Sequence, residues 1–213
     1  MTDIEKFFNH SHFRTYFQRK FEAPRVLSNL DVGRGSTCIE IGCGLGAGAL
    51  LINQYVDCDR IVCVDIDPDT IELAKAYVAH PPEWACNVRT DNIQLVCEDA
   101  ASLSFRDCSF DAAFLFGVLH HIKEWPKVIG EVFRVLKVGA IFSFEEALIP
   151  DSFFYFNKLT RHIPIGEAEL RDVVMGSGFS IQRFELTKRF ELTKHLPACF
   201  ARAVKAGYPS GEG

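Results

Sequence analysis

Cys38-Ile39-Glu40-Ile41-Gly42-Cys43-Gly44-Leu45-Gly46-Ala47-Gly48 is the stretch from which the rest of the chain can be read. An apolar run carrying one acid enters a loop in which every second residue is glycine, and Ala49, Leu50, Leu51 and Ile52 continue it as a helix. Without a Cβ, glycine accepts positive φ and lets a bound molecule come close to the backbone. The first N–H groups of the following helix have no intrahelical acceptor and favour negative charge. Strand, glycine loop and helix together form a cradle for a nucleotide or cofactor.

Working outward, the pattern repeats. Thr37–Ile41 reads as the first strand, with its helix over 48–55. Arg60–Asp65 is a continuous apolar run of the kind buried on both faces of a parallel sheet. Asp67-Pro68 supplies an N-cap and a first-turn proline for a helix to Ala79, closed by Pro81-Pro82. Ile93–Cys97, Phe110–Phe116 and Ile141–Phe144 read as three more strands, with a helix over 126–136 and Gly139 as its exit turn. Strands alternating with helices predict a doubly wound α/β sheet with right-handed crossovers. Ligands then bind beyond the carboxyl ends of the strands. Upstream, residues 3–22 carry Ile4, Phe7, Phe8, Phe13, Tyr16, Phe17 and Phe21 at helical spacing, ended by Pro24, with a second short helix over 25–30. Downstream, a helix over 167–177 and strands over 179–186 and 199–204 are expected. The spans divide into a helical cap (1–30), one cofactor-binding domain (31–206) and a flexible tail (207–213).

The 213 residues suit one α/β domain, and a net charge of -5 leaves no electrostatic footprint for nucleic acid. No run is long and apolar enough to span a bilayer, and Met1-Thr2-Asp3-Ile4-Glu5-Lys6 is not a signal peptide. The eight cysteines contain no Cys-x-x-Cys pair and several lie in apolar strand sequence, which points to a reducing compartment, the cytoplasm. No metal is expected, since His10-x-His12 lacks a third ligand.

Four acids fall in or at the ends of strands: Glu40, Asp65, Asp99 and Glu145. Asp65, about 20 residues beyond the glycine loop, stands where an acid accepts from ribose hydroxyls. Asp99 can accept from an exocyclic amine, with the Ala100 N–H as a neighbouring donor. Gly42-x-Gly44-x-x-Ala47 also fits the dinucleotide fingerprint, which leaves a nicotinamide-dependent oxidoreductase open. Glu40 inside the strand argues against it, because an acid-lined cradle repels a pyrophosphate and suits a sulfonium cofactor bearing an α-amino group.

Glu40-x-Gly42-x-Gly44-x-Gly46 resembles the first motif of the class I S-adenosylmethionine-dependent methyltransferases. The resemblance continues in order through Val64-Asp65-Ile66-Asp67-Pro68, Glu98-Asp99-Ala100, Phe110-Asp111, Val118-Leu119-His120-His121-Ile122 and Glu131-x-x-Arg134-Val135-Leu136-Lys137-x-Gly139. It implies a Rossmann-like, mostly parallel sheet of seven strands, the last antiparallel. It further implies that Glu40, Gly42, Cys43, Gly44 and Gly46 hold the amino-acid end of S-adenosylmethionine, and that Asp65 takes the ribose. By the same resemblance Ile66 packs on the adenine, Asp99 and Ala100 read its edge, and Gly117 and Val118 line the methyl end. Lys137-Val138-Gly139-Ala140 departs from the family's usual proline and second glycine.

The expected reaction moves a methyl group to a small-molecule acceptor, apolar or aromatic, and releases S-adenosylhomocysteine. A non-catalytic cofactor-binding subunit is the remaining alternative. His120, His121 and Glu145 are candidates for removing a proton or orienting the acceptor. The family covers its site with the N-terminal helix and the 150–165 segment, both rich in Phe and Tyr here, with Arg14, Arg19, Arg161 and His162 nearby. Such a cap allows a monomer or a homodimer.

Overall fold

A computed structural model describes residues 12–148, 162–188 and 197–207. The first part of the N-terminal helix, His10, Phe153-Phe154-Tyr155-Phe156, Arg161 and the tail lie outside the described residues. From residue 12 the cap runs as α1 (His12–Phe17), a π-helical turn (Gln18–Glu22) and α2 (Ala23–Leu27). Pro24 was expected to end the helix; the chain instead stays helical through it. The wide turn, in which the Ala23 N–H donates to the Gln18 carbonyl, provides the space that a proline ring otherwise takes from the preceding turn.

The sheet comprises β1 (Thr37–Ile41), β2 (Arg60–Asp65), β3 (Ile93–Cys97), β4 (Phe110–Phe116), β5 (Leu136–Ala147), β6 (Phe179–Lys188) and β7 (Pro197–Lys205). Their order is β3-β2-β1-β4-β5-β7-β6. Pairings from β3 through β5 are parallel, and β7 runs antiparallel to both β5 and β6. This is the expected seven-stranded, mostly parallel sheet with its last strand reversed.

Helices α3 (Ala47–Tyr55) and α4 (Pro68–Ala79) pack on one face through Ala49, Leu51, Ile52 and Ile71, where α2 also contributes Ala23, Val26 and Leu27. Helices α5 (Trp125–Val135) and α6 (Glu167–Gly176) cover the other through Val128, Ile129, Val132, Leu170 and Val174. Strands with both faces covered read as apolar runs, which is why β2 and β4 are so plain in the sequence. The order reverses direction between β1 and β4, and the crevice there is the switch point.

Two further expectations change. β5 extends to Ala147, so Glu145 and Glu146 lie within it, and pleat alternation sends them to opposite faces. Gly139 (φ +79°) does not terminate α5. That helix ends at Val135, with Leu136 already extended, and Gly139 sits in a bulge where the β4–β5 register jumps from Phe110↔Leu136 to Ala112↔Ile141.

Candidate cofactor site

The carboxyl ends of β1, β2, β3 and β4 open into a cavity of about 650 Å³, closed on one side by Arg14, Thr15 and Gln18 of the cap. Its wall includes Glu40, Gly42, Cys43, Gly44, Asp65, Ile66, Asp99, Ala100, Gly117, Val118 and His121. Of the cofactor-loop residues expected there, Gly46 is absent from the wall. Its Cα faces α4, and a Cβ would stand 3.1 Å from Val78. It serves helix packing rather than the cavity.

Gly42 is a true backbone requirement: its φ is +67°, and a Cβ would lie 2.2 Å from Val118 Cγ2. The loop is clamped by Asp65, whose two oxygens accept from the Gly44 N–H at 3.0 Å and the Asp67 N–H at 3.1 Å. Asp99 accepts from the Ala101 N–H at 2.9 Å, which holds the β3 exit loop in a local turn. Ile66 is an apolar side chain 67% exposed at the lip.

Glu40 is an incompletely compensated acid in the cavity wall. It is 2% exposed, and its Oε2 has no hydrogen-bond partner. Burial pushes its carboxyl up to about 8, against a lowering by the Cys63 thiol, and the Asp65 charge adds to the rise. A Cβ on Gly48 would stand 1.8 Å from Glu40 Oε1, so the carboxylate nestles against the first turn of α3 because that turn carries a glycine. A buried acid with an unpaired oxygen beside a cavity is a receptor for a cationic or donor-rich ligand.

At the β4–β5 end the candidates separate. His121 is in the wall; His120 and Glu145 are not. Glu145 is fully buried and its backbone carbonyl accepts from the Gly117 N–H at 2.8 Å. His120 hydrogen-bonds through Nδ1 to Glu146 Oε1. Glu146 also accepts from Val118 N–H (3.1 Å), Leu119 N–H (2.7 Å) and Ala147 N–H (2.9 Å). It therefore fixes the loop that carries the histidines. Burial, then the neighbouring His120, His162 and Arg14, push the His121 imidazole down to about 2, so it is neutral near pH 7.

Sequence reading missed Thr15 and Gln18, and named Arg14 and His162 only as neighbours of the cap. Gln18 and Thr15 enter the wall from a helix whose contacts are remote in sequence. Arg14 bridges Glu22 (2.7 Å) and the Phe116 carbonyl (3.2 Å), joining cap to β4. His162 closes on the histidine pair, and its presence in an aromatic, basic segment was the only available hint.

Sheet order, glycine loop and an acid-lined cavity at the switch point define a Rossmann-like, cofactor-binding class of enzyme domain. The family model described as "Methyltransferase domain" matches residues 39–144, and the chain belongs to the class I S-adenosylmethionine-dependent methyltransferases. The chain is 27% identical over 151 residues to the sterol 24-C-methyltransferase erg6 of Aspergillus fumigatus, covering 71% of this chain and 37% of that one. It is also 27% identical over 128 residues to the demethylmenaquinone methyltransferase of Staphylococcus epidermidis, covering 60% and 49%. It thus spans a third to a half of the length of these curated relatives. Among solved structures, a geranyl diphosphate methyltransferase in complex with the cofactor superposes with a TM-score of 0.74 at 14% identity, covering 87% of this chain and 84% of that one. A [4+2]-cyclase, SpnF, superposes with a TM-score of 0.73 at 18% identity, covering 94% and 85%, so the fold alone leaves the reaction open. Nothing in the family match or these relatives supports the nicotinamide-dependent alternative.

Proposed function

We propose that this protein transfers a methyl group from S-adenosylmethionine to a small apolar acceptor. One observation carries the reading: the buried, unpaired carboxylate of Glu40 at the switch point, in one cavity with Asp65 and Asp99. In this reading Glu40 receives the α-amino group, with Gly42, Cys43 and Gly44 beside the amino-acid end. Asp65 receives the ribose, Ile66 covers the adenine face, Asp99 and the Ala100 N–H meet its edge, and Gly117 and Val118 flank the methyl end. The cofactor, when bound, supplies a methyl group on a sulfonium, whose departure as S-adenosylhomocysteine needs no further activation.

What the chain adds is mainly placement: two reactants held in line and shielded from water by the cap. The relatives named for sterols and for demethylmenaquinone favour an apolar acceptor. The eight free cysteines favour a reducing compartment, and we read the location as cytoplasmic. Among the described residues no helix is long and apolar enough to cross a membrane. We read the protein as binding no nucleic acid and acting as a monomer or homodimer.

Isothermal titration with S-adenosylmethionine, S-adenosylhomocysteine and nicotinamide dinucleotides tests the cofactor. Saturable binding of the first two and none of the dinucleotides is expected; the reverse overturns the reading. Methyl-release assays over prenylated quinols, sterols and prenyl diphosphates test catalysis, and turnover with none of them while the cofactor binds would favour the non-catalytic subunit.

A further inference from the structure

We propose that His120, His121 and His162 form a binding site for one divalent transition-metal ion of the zinc type, bordering the acceptor end of the cavity. Their ligand nitrogens all lie within 4.8 Å of one another. Ring centroids are 4.1 Å apart for His120–His121 and 4.8 Å for each ring with His162. The residues come from two distant segments, the turn after β4 and the approach to α6, and the Ile163 N–H donates to the His120 carbonyl at 2.8 Å, which fastens one over the other.

Glu146 gives the cluster its chemistry. It faces His120 Nδ1, which makes Nδ1 the donor and leaves Nε2 as the nitrogen available to an ion. Three backbone N–H groups hold the carboxylate in place. A carboxylate orienting an imidazole from behind is the usual support of a metal-bound histidine.

Three imidazoles with no carboxylate oxygen among the ligand atoms suit zinc, cobalt, nickel or copper(II), and not calcium or magnesium. Tetrahedral ligation with nitrogens at about 2.0–2.1 Å needs nitrogens roughly 3.3 Å apart, so modest ring rotations close the site. Three protein ligands leave a fourth position free. His121 belongs both to the cluster and to the cavity wall, so that position is within reach of an acceptor heteroatom, whose proton a Lewis acid would loosen. That use of the ion rests on the methyl-transfer reading; binding of the ion does not.

The test is a cobalt(II) titration of the full chain after dialysis against a chelator, followed by visible absorption. Expected are d–d bands that saturate at one equivalent, are displaced by zinc, and lack a near-ultraviolet thiolate charge-transfer band. His162→Gln and His121→Gln should each weaken binding by at least ~10-fold, while His80→Gln, exposed at the end of α4, leaves it unchanged. Thermal unfolding of the metal-free variants establishes that they fold, and either histidine variant suffices if the other does not. Absence of saturation at one equivalent, a thiolate band, or full affinity in a folded His162→Gln or His121→Gln chain overturns the proposal. Cofactor calorimetry on the metal-free chain tests the methyltransferase reading separately.

Discussion

Two buried glutamates at the carboxyl edge of one sheet are treated in opposite ways. At the end of β1, Glu40 keeps an oxygen with no partner. At the end of β5, Glu146 is equally inaccessible, yet three amides and an imidazole share its two oxygens. Satisfied, a buried carboxylate is scaffolding, whose removal leaves several donors stranded. Left unsatisfied, it destabilises the empty protein and gains a partner only from outside. The comparison separates the binding half of the site from its framework without reference to any relative.

The sharpest break would come from Glu146→Ala. It should cost about 3–5 kcal/mol in urea unfolding, because a buried hydrogen-bonded acid is removed while its donors stay; a loss below about 1 kcal/mol would dissolve the contrast. Gly42→Ala comes next. Its positive φ and the 2.2 Å approach to Val118 should lower stability by about 2–3 kcal/mol and abolish cofactor binding in the same calorimetric titration.

Glu40→Gln should behave differently, weakening S-adenosylmethionine binding roughly 30-fold, about 2 kcal/mol, while leaving the unfolding midpoint at pH 8 equal or higher. An equal loss of stability in the Glu40 and Glu146 variants would make both acids structural.

The most graded effect is in pH. Glu40 has a folded value of about 8 against 4.5 in the unfolded chain, so between these the folded state holds the extra proton. Its contribution to the stability of the free protein is therefore fully present below about pH 4.5 and is lost as pH rises through 8. Cofactor affinity should move the other way, rising up to ~10-fold per unit from pH 6 toward 8 as the carboxyl ionises more readily. Both slopes should vanish in Glu40→Gln, measured by thermal melts and calorimetry across that range.

Much of the cofactor half was legible in the chain. Glu40 precedes the end of an apolar run, Asp65 ends one and Asp99 follows one, and parallel pairing of β1, β2 and β3 brings such ends to one edge. Gly42 was legible as a loop residue, whereas the clash that makes it irreplaceable comes from Val118, far along the sequence. Gly46 illustrates the limit: its place in the motif suggested a ligand, and its surroundings make it a packing residue against α4. Glu145 was the candidate read from the sequence, and its neighbour Glu146 carries the same local signal. The pleat and the longer β5 decided which of them meets the histidines.

The sequence by itself determined the alternation of strands and helices, the acid-studded strand ends and the glycine loop, because these depend on residues a few positions apart. Tertiary structure alone decided which carboxylate is satisfied, which glycine faces the cavity, and that His162 joins His120 and His121. Those outcomes depend on groups tens of residues apart in the chain, as in the Glu146 bonds to Val118 and Leu119 or the tie between Ile163 and His120. Burial and hydrogen-bond satisfaction are properties of what the fold brings together, and no local pattern encodes them.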